Sequence, residues 1–290
     1  MIRVLVSGLY TSLQDFGRYG YRNRGVPVSG VMDRRAAARA NEIVGNELNT
    51  TVMECTLKGP VLTFEEDARV AICGAQFLPT VDGISVPQNK QITLKKGSTL
   101  SFGNANSGVY GYLAVRGGFL AEAVLGSTAH YNGITEVSRI KKGMILQLGS
   151  KTNPFDEKRK ITTKDFDISQ ELDLEVYKGP EYHMLSQTIR LAMESTSFTV
   201  SAESNRMAYV VHHGSGIWAP GIVTAPVQPG TVQLTPAGKM IVLMRDAQTT
   251  GGYARIFQLT EDAMCRLAQK RAGEPLRFQI VDLPITLSSN

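Results

Sequence analysis

The chain has 290 residues, of which 42% are hydrophobic and 20% are charged. This composition is typical of a globular protein and excludes a disordered or fibrous chain, and the length favours two domains. The net charge of +5 comes from basic residues spread along the chain, which argues against nucleic-acid and membrane binding. Cys55, Cys73 and Cys265 stand singly without CxxC spacing, so we expect neither disulfides nor a zinc site.

No segment reaches the roughly eighteen apolar residues of a membrane span, and the N-terminal residues lack the pattern of a secretory signal. Together with the single cysteines, this predicts a cytoplasmic protein.

Short runs rich in β-branched and aromatic residues recur in the first half of the chain, with turns such as Asp82-Gly83 between them. They predict strands within residues 69–77, 91–103, 109–119 and 144–150. A helix is predicted at residues 33–45, where Asp33 can cap the N-terminus and Gly45 can close the C-terminus.

Residues 151–171 are charged and poor in periodic apolar positions, which is typical of a linker. Strand-like runs then resume at residues 172–180, 197–203, 231–246, 253–260 and 276–283. Two more helices are predicted, one at residues 260–273 with Thr260 as N-cap and one at about residues 182–193. So many strands with so few crossover helices favour a mainly β fold over a parallel α/β fold. We therefore predict two antiparallel, barrel-like domains at residues 1–150 and 172–290.

The common chemical motifs are absent from the sequence. It has no GxxxxGK[ST] phosphate loop, no GxGxxG opening a helix after a strand, no HExxH and no GxSxG. His212 and His213 are adjacent, so in a strand they would point to opposite faces and could not hold one ion together. We therefore expect no metal site and no self-contained nucleotide pocket.

A first polar cluster, residues 14–33, reads QDFGRYGYRNRGVPVSGVMD. Its arginines, Arg18, Arg22 and Arg24, are suited to binding a carboxylate or phosphate. Ser29, Gly30 and Asp33 precede the predicted helix, whose N-terminal amides also favour an anion. The alternative is a capped helix after a glycine-rich loop, with solvated arginines.

A second polar cluster, residues 244–255, reads MRDAQTTGGYAR and follows an apolar run. Its glycines would let a ligand approach the backbone, while its acid, amide and hydroxyl groups offer donors and acceptors. Asp246 is a candidate general base. The alternatives are an ordinary polar hairpin and an ion pair of Asp246 with Arg245 or Arg255.

Glu54 lies in an otherwise apolar predicted strand, between Met53 and Cys55. A buried carboxylate without a partner is unfavourable, so Glu54 must reach solvent, an arginine or a ligand. Structural pairing with Arg18 or Arg39 and a catalytic role both remain open.

The two clusters also lie in segments that resemble the KipA-like family. The matching motifs are QDFGRYGYRNRGVPVSGVMDRRAAARANEIVGN, ECTLKGPVL, YGYLAVRGGF, SNRMAY, PVQPGTVQL and MIVLMRDAQTTGGYAR, in this order. The family includes the C subunit of prokaryotic 5-oxoprolinase and the carboxyltransferase domain of urea carboxylase. The resemblance implies two tandem cyclophilin-like β-barrel domains.

The resemblance also implies a hetero-oligomer, in which the chain works with the KipI-like B subunit of 5-oxoprolinase and with its LamB/YcsF-like A subunit. The implied reaction is the ATP-dependent opening of the 5-oxoproline lactam to glutamate. ATP and Mg²⁺ are then cofactors of the assembled complex, and the pocket is shared with the partner.

Carried over position by position, the resemblance implies a catalytic set of Arg18, Asp33, Gln233 and Asp246. The implied substrate-binding set is Ser29, Gly30, Met32, Gln248, Thr249 and Gly251. Arg18 would be the anion clamp, Asp246 the general base or a metal-facing acid, and Gln233 with Gln248 the readers of the lactam amide. The chain departs from the family pattern at Ala208 and Val210, where we expect glycine and arginine, and in residues 126–139, which are poorer in glycine and arginine than the usual loop.

Two other functions are compatible with the resemblance. A biotin-dependent carboxyltransferase would move CO2 from carboxybiotin to urea or a similar amide, although this chain contains no Met-Lys-Met biotinylation motif. A non-enzymatic KipA-type protein would bind a kinase-inhibiting KipI-like partner without turnover.

Overall fold

The computed structural model describes residues 1–150, 172–214 and 216–283. The described residues fall into two compact units. Residues 1–150 and Ala268–Lys270 belong to the first unit, and residues 172–267 and 271–283 to the second. The predicted linker, residues 151–171, lies outside the described residues, and the predicted domain bounds stay a prediction.

The first unit contains eleven strands and one α-helix among its described residues. In chain order they are β1 (Ile2–Val6), β2 (Tyr10–Gln14), α1 (Arg34–Ile43), β3 (Val52–Thr56), β4 (Val61–Phe64), β5 (Ala68–Gln76), β6 (Thr80–Val81), β7 (Ile84–Ser85), β8 (Gln91–Leu94), β9 (Thr99–Ser101), β10 (Ser107–Val115) and β11 (Ile145–Leu146). A short 3₁₀ helix, Arg22–Arg24, precedes α1.

These strands form two antiparallel sheets with one shared core. The six-stranded sheet has the order β11-β1-β4-β9-β6-β7, and the five-stranded sheet has the order β2-β3-β10-β5-β8. Ile2 and Phe64 from the first sheet and Leu13, Ile72 and Leu113 from the second belong to the same buried cluster. Their inward positions follow from the alternation of apolar side chains along each strand.

Helix α1 begins where the sequence predicts it. The Asp33 carboxylate accepts hydrogen bonds from the backbone N–H groups of Arg35 and Ala36, each at 3.1 Å. Buried alanines, including Ala37 and Ala40, let the helix pack closely on β5 and β10. The helix thereby fixes the position of the residues that immediately precede it.

The second unit contains the remaining elements. They are β12 (Asp173–Lys178), α2 (Gln187–Ser195), β13 (Phe198–Val200), β14 (Ala208–His212), β15 (Gly221–Pro226), β16 (Thr231–Leu234), β17 (Met240–Leu243), β18 (Thr250–Leu259), α3 (Glu261–Ala268) and β19 (Pro275–Ile280). A short 3₁₀ helix, Tyr182–Met184, precedes α2, and the last residue of α3 groups with the first unit.

Seven strands of the second unit close into a barrel. Their order is β12-β19-β13-β14-β17-β16-β18, and β18 pairs back to β12. The β12–β19 pair is parallel and the other pairs are antiparallel, while β15 extends the wall at the free edge of β18. Closure leaves the seven strands without an unpaired edge at the seam.

The prediction of a mainly β fold with a few short helices is confirmed. The helix predicted at 260–273 is shorter, ending at Ala268, and Thr260 Oγ1 accepts from Ala263 N at 3.1 Å as its N-cap. The helix predicted at about 182–193 is divided into the 3₁₀ turn and α2. Among the described residues, no helix has both the length and the apolar character needed to cross a bilayer.

Candidate functional site

Asp15, directly after β2, organises the first polar cluster. Its carboxylate accepts hydrogen bonds from Gly17 N (2.8 Å), Ser127 Oγ (2.6 Å) and Thr128 N (2.8 Å). Its backbone carbonyl accepts from Val31 N at 2.8 Å. The Asp15 carboxylate therefore joins the loop after β2 to Ser127 and Thr128, far along the chain. Hydrogen bonds to a charged acceptor are short and strong.

Gly30 allows two backbone segments to meet in this cluster. Its φ of +88° lies in the left-handed region, and a Cβ there would lie 2.6 Å from Gly17 N and 2.8 Å from Asp15 O. Only glycine fits such an approach without displacement of the neighbouring backbone. The predicted role of Gly30 beside a ligand is untested, and what the structure gives it is close packing on residues 15–17.

Ser29 is the residue before Gly30 and also has a positive φ, +57°. It is fully buried, and within the described part of the chain its Oγ has no hydrogen-bond partner. A non-glycine residue held in this conformation stores strain, and a buried hydroxyl without a partner adds to it. Such a combination is typical of a functional position.

Arg18 is the most deeply buried cation of the first polar cluster, with 1% of its surface exposed. Its Nη2 donates to the carbonyl oxygen of Ala129, and its backbone N donates to Val28 O at 2.8 Å. A buried guanidinium is a strong anion ligand because water competes little for it. Its location supports the predicted anion clamp but does not test it.

His130 follows Ala129 and is paired with β2. Its backbone N donates to Leu13 O at 2.9 Å, and its Nδ1 accepts from Leu13 N at 3.3 Å. Burial and then the nearby Arg18 cation lower the pKa of His130 to about 4, so the ring is neutral at physiological pH. The sequence reasoning missed this residue, although it lies in the segment noted for departing from the family pattern.

The capped-helix alternative is correct for Asp33, because the amides of Arg35 and Ala36 in the first turn of α1 are already bonded to its carboxylate. Its other oxygen accepts from Gln269 Nε2 at 3.0 Å. The expectation that these amides receive an external anion is therefore wrong. A catalytic role for Asp33 stays a prediction.

Glu54 is bonded to the start of the same helix. Its Oε2 accepts from Met32 N (2.8 Å) and from Tyr112 Oη (2.9 Å), and that hydroxyl in turn accepts from Asp33 N (2.8 Å). Burial, then the charges of Glu54 and Asp33, raise the pKa of Tyr112, which keeps the phenol protonated. Tyr112 was not among the partners expected for Glu54, since it is brought there by the β3–β10 pairing. Met32 contributes its backbone to this network, and its side chain is buried.

In the second polar cluster, Asp246 is held by an arginine that the sequence did not indicate. Arg206 donates to both of its carboxylate oxygens, from Nε at 2.8 Å and from Nη2 at 3.0 Å. The expected partners are bonded elsewhere: Arg245 Nη1 donates to Glu261 at 3.1 Å, and Arg255 Nε to Glu181 at 2.8 Å. Asp246 therefore forms an ion pair, as one alternative expected, but its partner is a different arginine. The β14–β17 pairing brings residues 206 and 246 together.

Gln233 and Gly251 are in contact on neighbouring strands. A Cβ at Gly251 would lie 2.6 Å from Gln233 Nε2, and that nitrogen donates to Tyr253 O at 3.5 Å, the limit of a hydrogen bond. Gln233 is buried, Thr249 is half-buried and Gln248 is exposed. The side-chain amide of Gln233 therefore lies beside the backbone of Gly251, which has no side chain.

The structure thus brings the predicted residues together in two groups, each within its own unit. Arg18, Ser29, Gly30, Met32 and Asp33 lie in or beside the loop before α1, and Gln233, Asp246, Gln248, Thr249 and Gly251 lie around the start of β18. Their catalytic and binding roles remain predictions. Within the described ranges, no three histidine, cysteine, aspartate or glutamate side chains are arranged to hold a metal ion.

Comparisons with known proteins agree with the motifs. Residues 24–280 match the carboxyltransferase domain family, subdomains A and B. The chain is 32% identical to the C subunit of 5-oxoprolinase from Escherichia coli K12, over 96% of this chain and 90% of that protein. It is 29% identical to the C subunit of 5-oxoprolinase from Haemophilus influenzae, over 98% and 92%.

A solved structure, urea carboxylase of Kluyveromyces lactis, superposes with a TM-score of 0.85 and 25% identity. It matches 97% of this chain, but the chain spans only 27% of that protein. The match over residues 24–280 and the identity to the Escherichia coli protein show that this chain belongs to the carboxyltransferase domain family, subdomains A and B.

Proposed function

We propose that the chain is the C subunit of an ATP-dependent 5-oxoprolinase, which opens 5-oxo-L-proline to L-glutamate. The observation that carries this proposal is the 32% identity to the C subunit from Escherichia coli along nearly the full length of both chains. The partners are the KipI-like B subunit of the enzyme together with its LamB/YcsF-like A subunit, and the complex acts in the cytoplasm.

The chemistry of the first polar cluster suits such a substrate. 5-Oxoproline has a carboxylate and a lactam amide, and Arg18 is a buried cation suited to the carboxylate. Burial strengthens this interaction, and anchoring the carboxylate limits the orientations in which the lactam carbonyl is presented for attack. Ser29, with its hydroxyl free of partners among the described residues, is a further contact for the substrate.

An unstrained lactam is a poor electrophile, and ATP with Mg²⁺ would supply the phosphoryl group that turns its oxygen into a leaving group. The described residues of this chain contain no arrangement of three carboxylate, histidine or cysteine ligands. We assign to this chain the binding and orientation of the lactam, because the buried Arg18 cation and the polar side chains around it offer suitable contacts.

In the second polar cluster, Asp246 is the candidate general base or metal-facing acid. Arg206 uses one hydrogen bond to each of its oxygens, which leaves acceptor capacity on both. The bidentate pair also fixes the plane of the carboxylate. Gln233, Gln248, Thr249 and Gly251 are proposed substrate contacts around it.

The proposal is tested by measuring ATP hydrolysis that depends on 5-oxoproline, with all three subunits present and with each omitted in turn. Glutamate and phosphate in equal amounts, formed only by the complete mixture, are expected. A complete mixture that forms a stable complex without turnover would contradict the proposal and favour the KipA-type binding function.

Carboxyl transfer is the second candidate, favoured by the family match and by the likeness to the urea carboxylase of Kluyveromyces lactis. It needs biotin on another protein, since this sequence lacks the Met-Lys-Met motif. Carboxybiotin consumption in the presence of urea would support it. Loss of carboxybiotin at the same rate with and without urea would contradict it.

A further inference from the structure

Among the described residues, Gln14, at the end of β2, has a buried acceptor without a donor. Its Nε2 donates to Ser12 Oγ at 2.9 Å and to His130 O at 3.2 Å. Because a backbone carbonyl only accepts, the NH2 group must face His130, which fixes the orientation of the amide. Its Oε1 is then buried without a hydrogen-bond partner in the described part of the chain.

His130 offers the complementary group. Since the backbone N–H of Leu13 donates to Nδ1, the proton of the neutral ring resides on Nε2. None of the described residues bonds to Nε2, although 92% of the residue surface is covered. The ring is thus a fixed donor that keeps its form at physiological pH, because burial and Arg18 lower its pKa to about 4.

Arg18 contributes a positive charge, in addition to the acceptor of Gln14 and the donor of His130. Its guanidinium bonds to Ala129 O, the carbonyl next to His130, while Gln14 bonds to the carbonyl of His130 itself. Two adjacent peptide groups therefore position all three side chains. We name Gln14, Arg18 and His130 the recognition cluster.

The three groups define what a single ligand would have to carry. The Gln14 acceptor needs an N–H, the neutral imidazole can donate to a carbonyl oxygen, and the positive charge of the guanidinium favours an anion. Buried polar groups in native proteins are almost always bonded, so the Gln14 acceptor, which has no partner among the described residues, indicates a missing partner. A small carboxylate that also carries an amide meets these requirements, and an isolated anion or an apolar molecule does not.

We propose that the recognition cluster reads the substrate: Gln14 Oε1 accepts from its amide N–H, His130 Nε2 donates to its carbonyl oxygen, and Arg18 binds its carboxylate. This inference rests on the proposed function, because 5-oxoproline is the amide-bearing carboxylate in question. It assigns substrate recognition to Gln14 and His130, two residues that the sequence motifs did not single out.

The first test measures binding and steady-state turnover of the full chain in the three-subunit mixture. 5-Oxoproline is compared with cyclopentanecarboxylate, which lacks the amide, and with 2-pyrrolidinone, which lacks the carboxylate. Both analogues are expected to inhibit at least about tenfold more weakly than 5-oxoproline binds, since cyclopentanecarboxylate offers no N–H to the buried Gln14 acceptor and 2-pyrrolidinone lacks the charged contact with Arg18. Equal binding of cyclopentanecarboxylate would overturn the inference.

The second test uses variants. Gln14→Leu and His130→Phe are expected to raise KM for 5-oxoproline at least about tenfold, and His130→Gln, which retains a donor near Nε2, to restore part of it. Gln88→Leu is the control: unlike Gln14, Gln88 bonds through both amide atoms, to Phe77 N and Ala75 O, and it lies outside the cluster. Circular dichroism and thermal melting of each variant separate unfolding from lost recognition.

The outcomes distinguish this inference from the proposed function. One outcome is that the wild-type mixture turns over 5-oxoproline while Gln14→Leu and His130→Phe leave KM unchanged. That result would overturn the recognition cluster and leave the proposed function intact. If the wild-type mixture does not turn over 5-oxoproline, the proposed function is wrong. The cluster is then tested with N-acetylglycine, an anion with one amide: binding that Gln14→Leu weakens would support it. Unaltered or undetectable binding, as expected if a buried water fills the site, would overturn it.

Discussion

The two polar clusters look alike in sequence but use their charges differently. In the second, Asp246, Arg245 and Arg255 each have a bonded partner of opposite charge, namely Arg206, Glu261 and Glu181. In the first, Gln14 Oε1 and Ser29 Oγ are buried without partners among the described residues. Density of polar residues is therefore a poor indicator of a binding site, and incomplete hydrogen bonding is a better one. The first cluster is accordingly the better candidate for substrate binding.

Arg18 should give the largest effect, because no other cation of the first cluster is so deeply buried. Arg18→Ala is expected to lower kcat/KM for 5-oxoproline by at least about a hundredfold, as removal of a buried charged contact does. The variant is assayed in the three-subunit mixture, with Arg24→Ala, an exposed position of the 3₁₀ turn, as control. Similar values for both variants would remove Arg18 from the site.

Breaking the pair in the second cluster should mainly reduce stability. Arg206→Met leaves the Asp246 carboxylate, about a tenth exposed, without its bidentate partner. The free energy of unfolding is expected to fall by about 3 kcal/mol. Chemical denaturation measures this, and Arg206→Met with Asp246→Leu should be less destabilised than Arg206→Met alone.

The exposed pair of Lys239 with Glu203 provides the control, because solvent screens it. Lys239→Met should leave the unfolding transition nearly unchanged. Equal losses for Arg206→Met and Lys239→Met would mean that the Asp246 pair does not hold this cluster together.

His130 should make the free energy of unfolding depend on pH in the acidic range. Its pKa is about 4 in the folded chain and about 6.5 when unfolded, so the unfolded state binds the proton first as pH falls. Its contribution is therefore complete above pH 6.5 and is lost between about 6.5 and 4, by at most about 3 kcal/mol. His130→Gln should flatten the stability profile in this range. An unaltered profile would show that His130 titrates normally.

Gly30 should give the smallest of these effects. Gly30→Ala introduces both a disfavoured φ and a clash with Gly17 N, and is expected to reduce the free energy of unfolding by about 2 kcal/mol. Gly20→Ala has a similar φ, +89°, but no atom within 4 Å of the added Cβ. Thermal melting of the two variants separates the effect of the clash from the effect of the disfavoured φ. Equal losses of stability in both variants would argue against close packing at Gly30.

Local signals in the sequence predicted local structure. Asp33 was recognised as a helix cap because a cap bonds to amides two and three residues away. Strand β5 was recognised from its own β-branched run. The partner of Asp246 was missed because it lies 40 residues away and is selected by strand pairing.

The recognition cluster could not be found from the sequence for a related reason. Gln14 opens a motif that was noted, yet nothing in that motif shows that Nε2 is bonded and Oε1 is not. Likewise, His130 owes its lowered pKa first to burial and then to the charge of Arg18, and it owes its tautomer to the bond from Leu13 N. Such properties depend on what surrounds a side chain, and this is set by the fold.

The most direct measurement is a crystal structure of the chain, in complex with its partners, soaked with 5-oxoproline. We expect the carboxylate at the Arg18 guanidinium, with the ring N–H on Gln14 Oε1 and the lactam oxygen on His130 Nε2. A 5-oxoproline molecule bound at Asp246 and Gln248, with the recognition cluster filled only by water, would contradict this expectation.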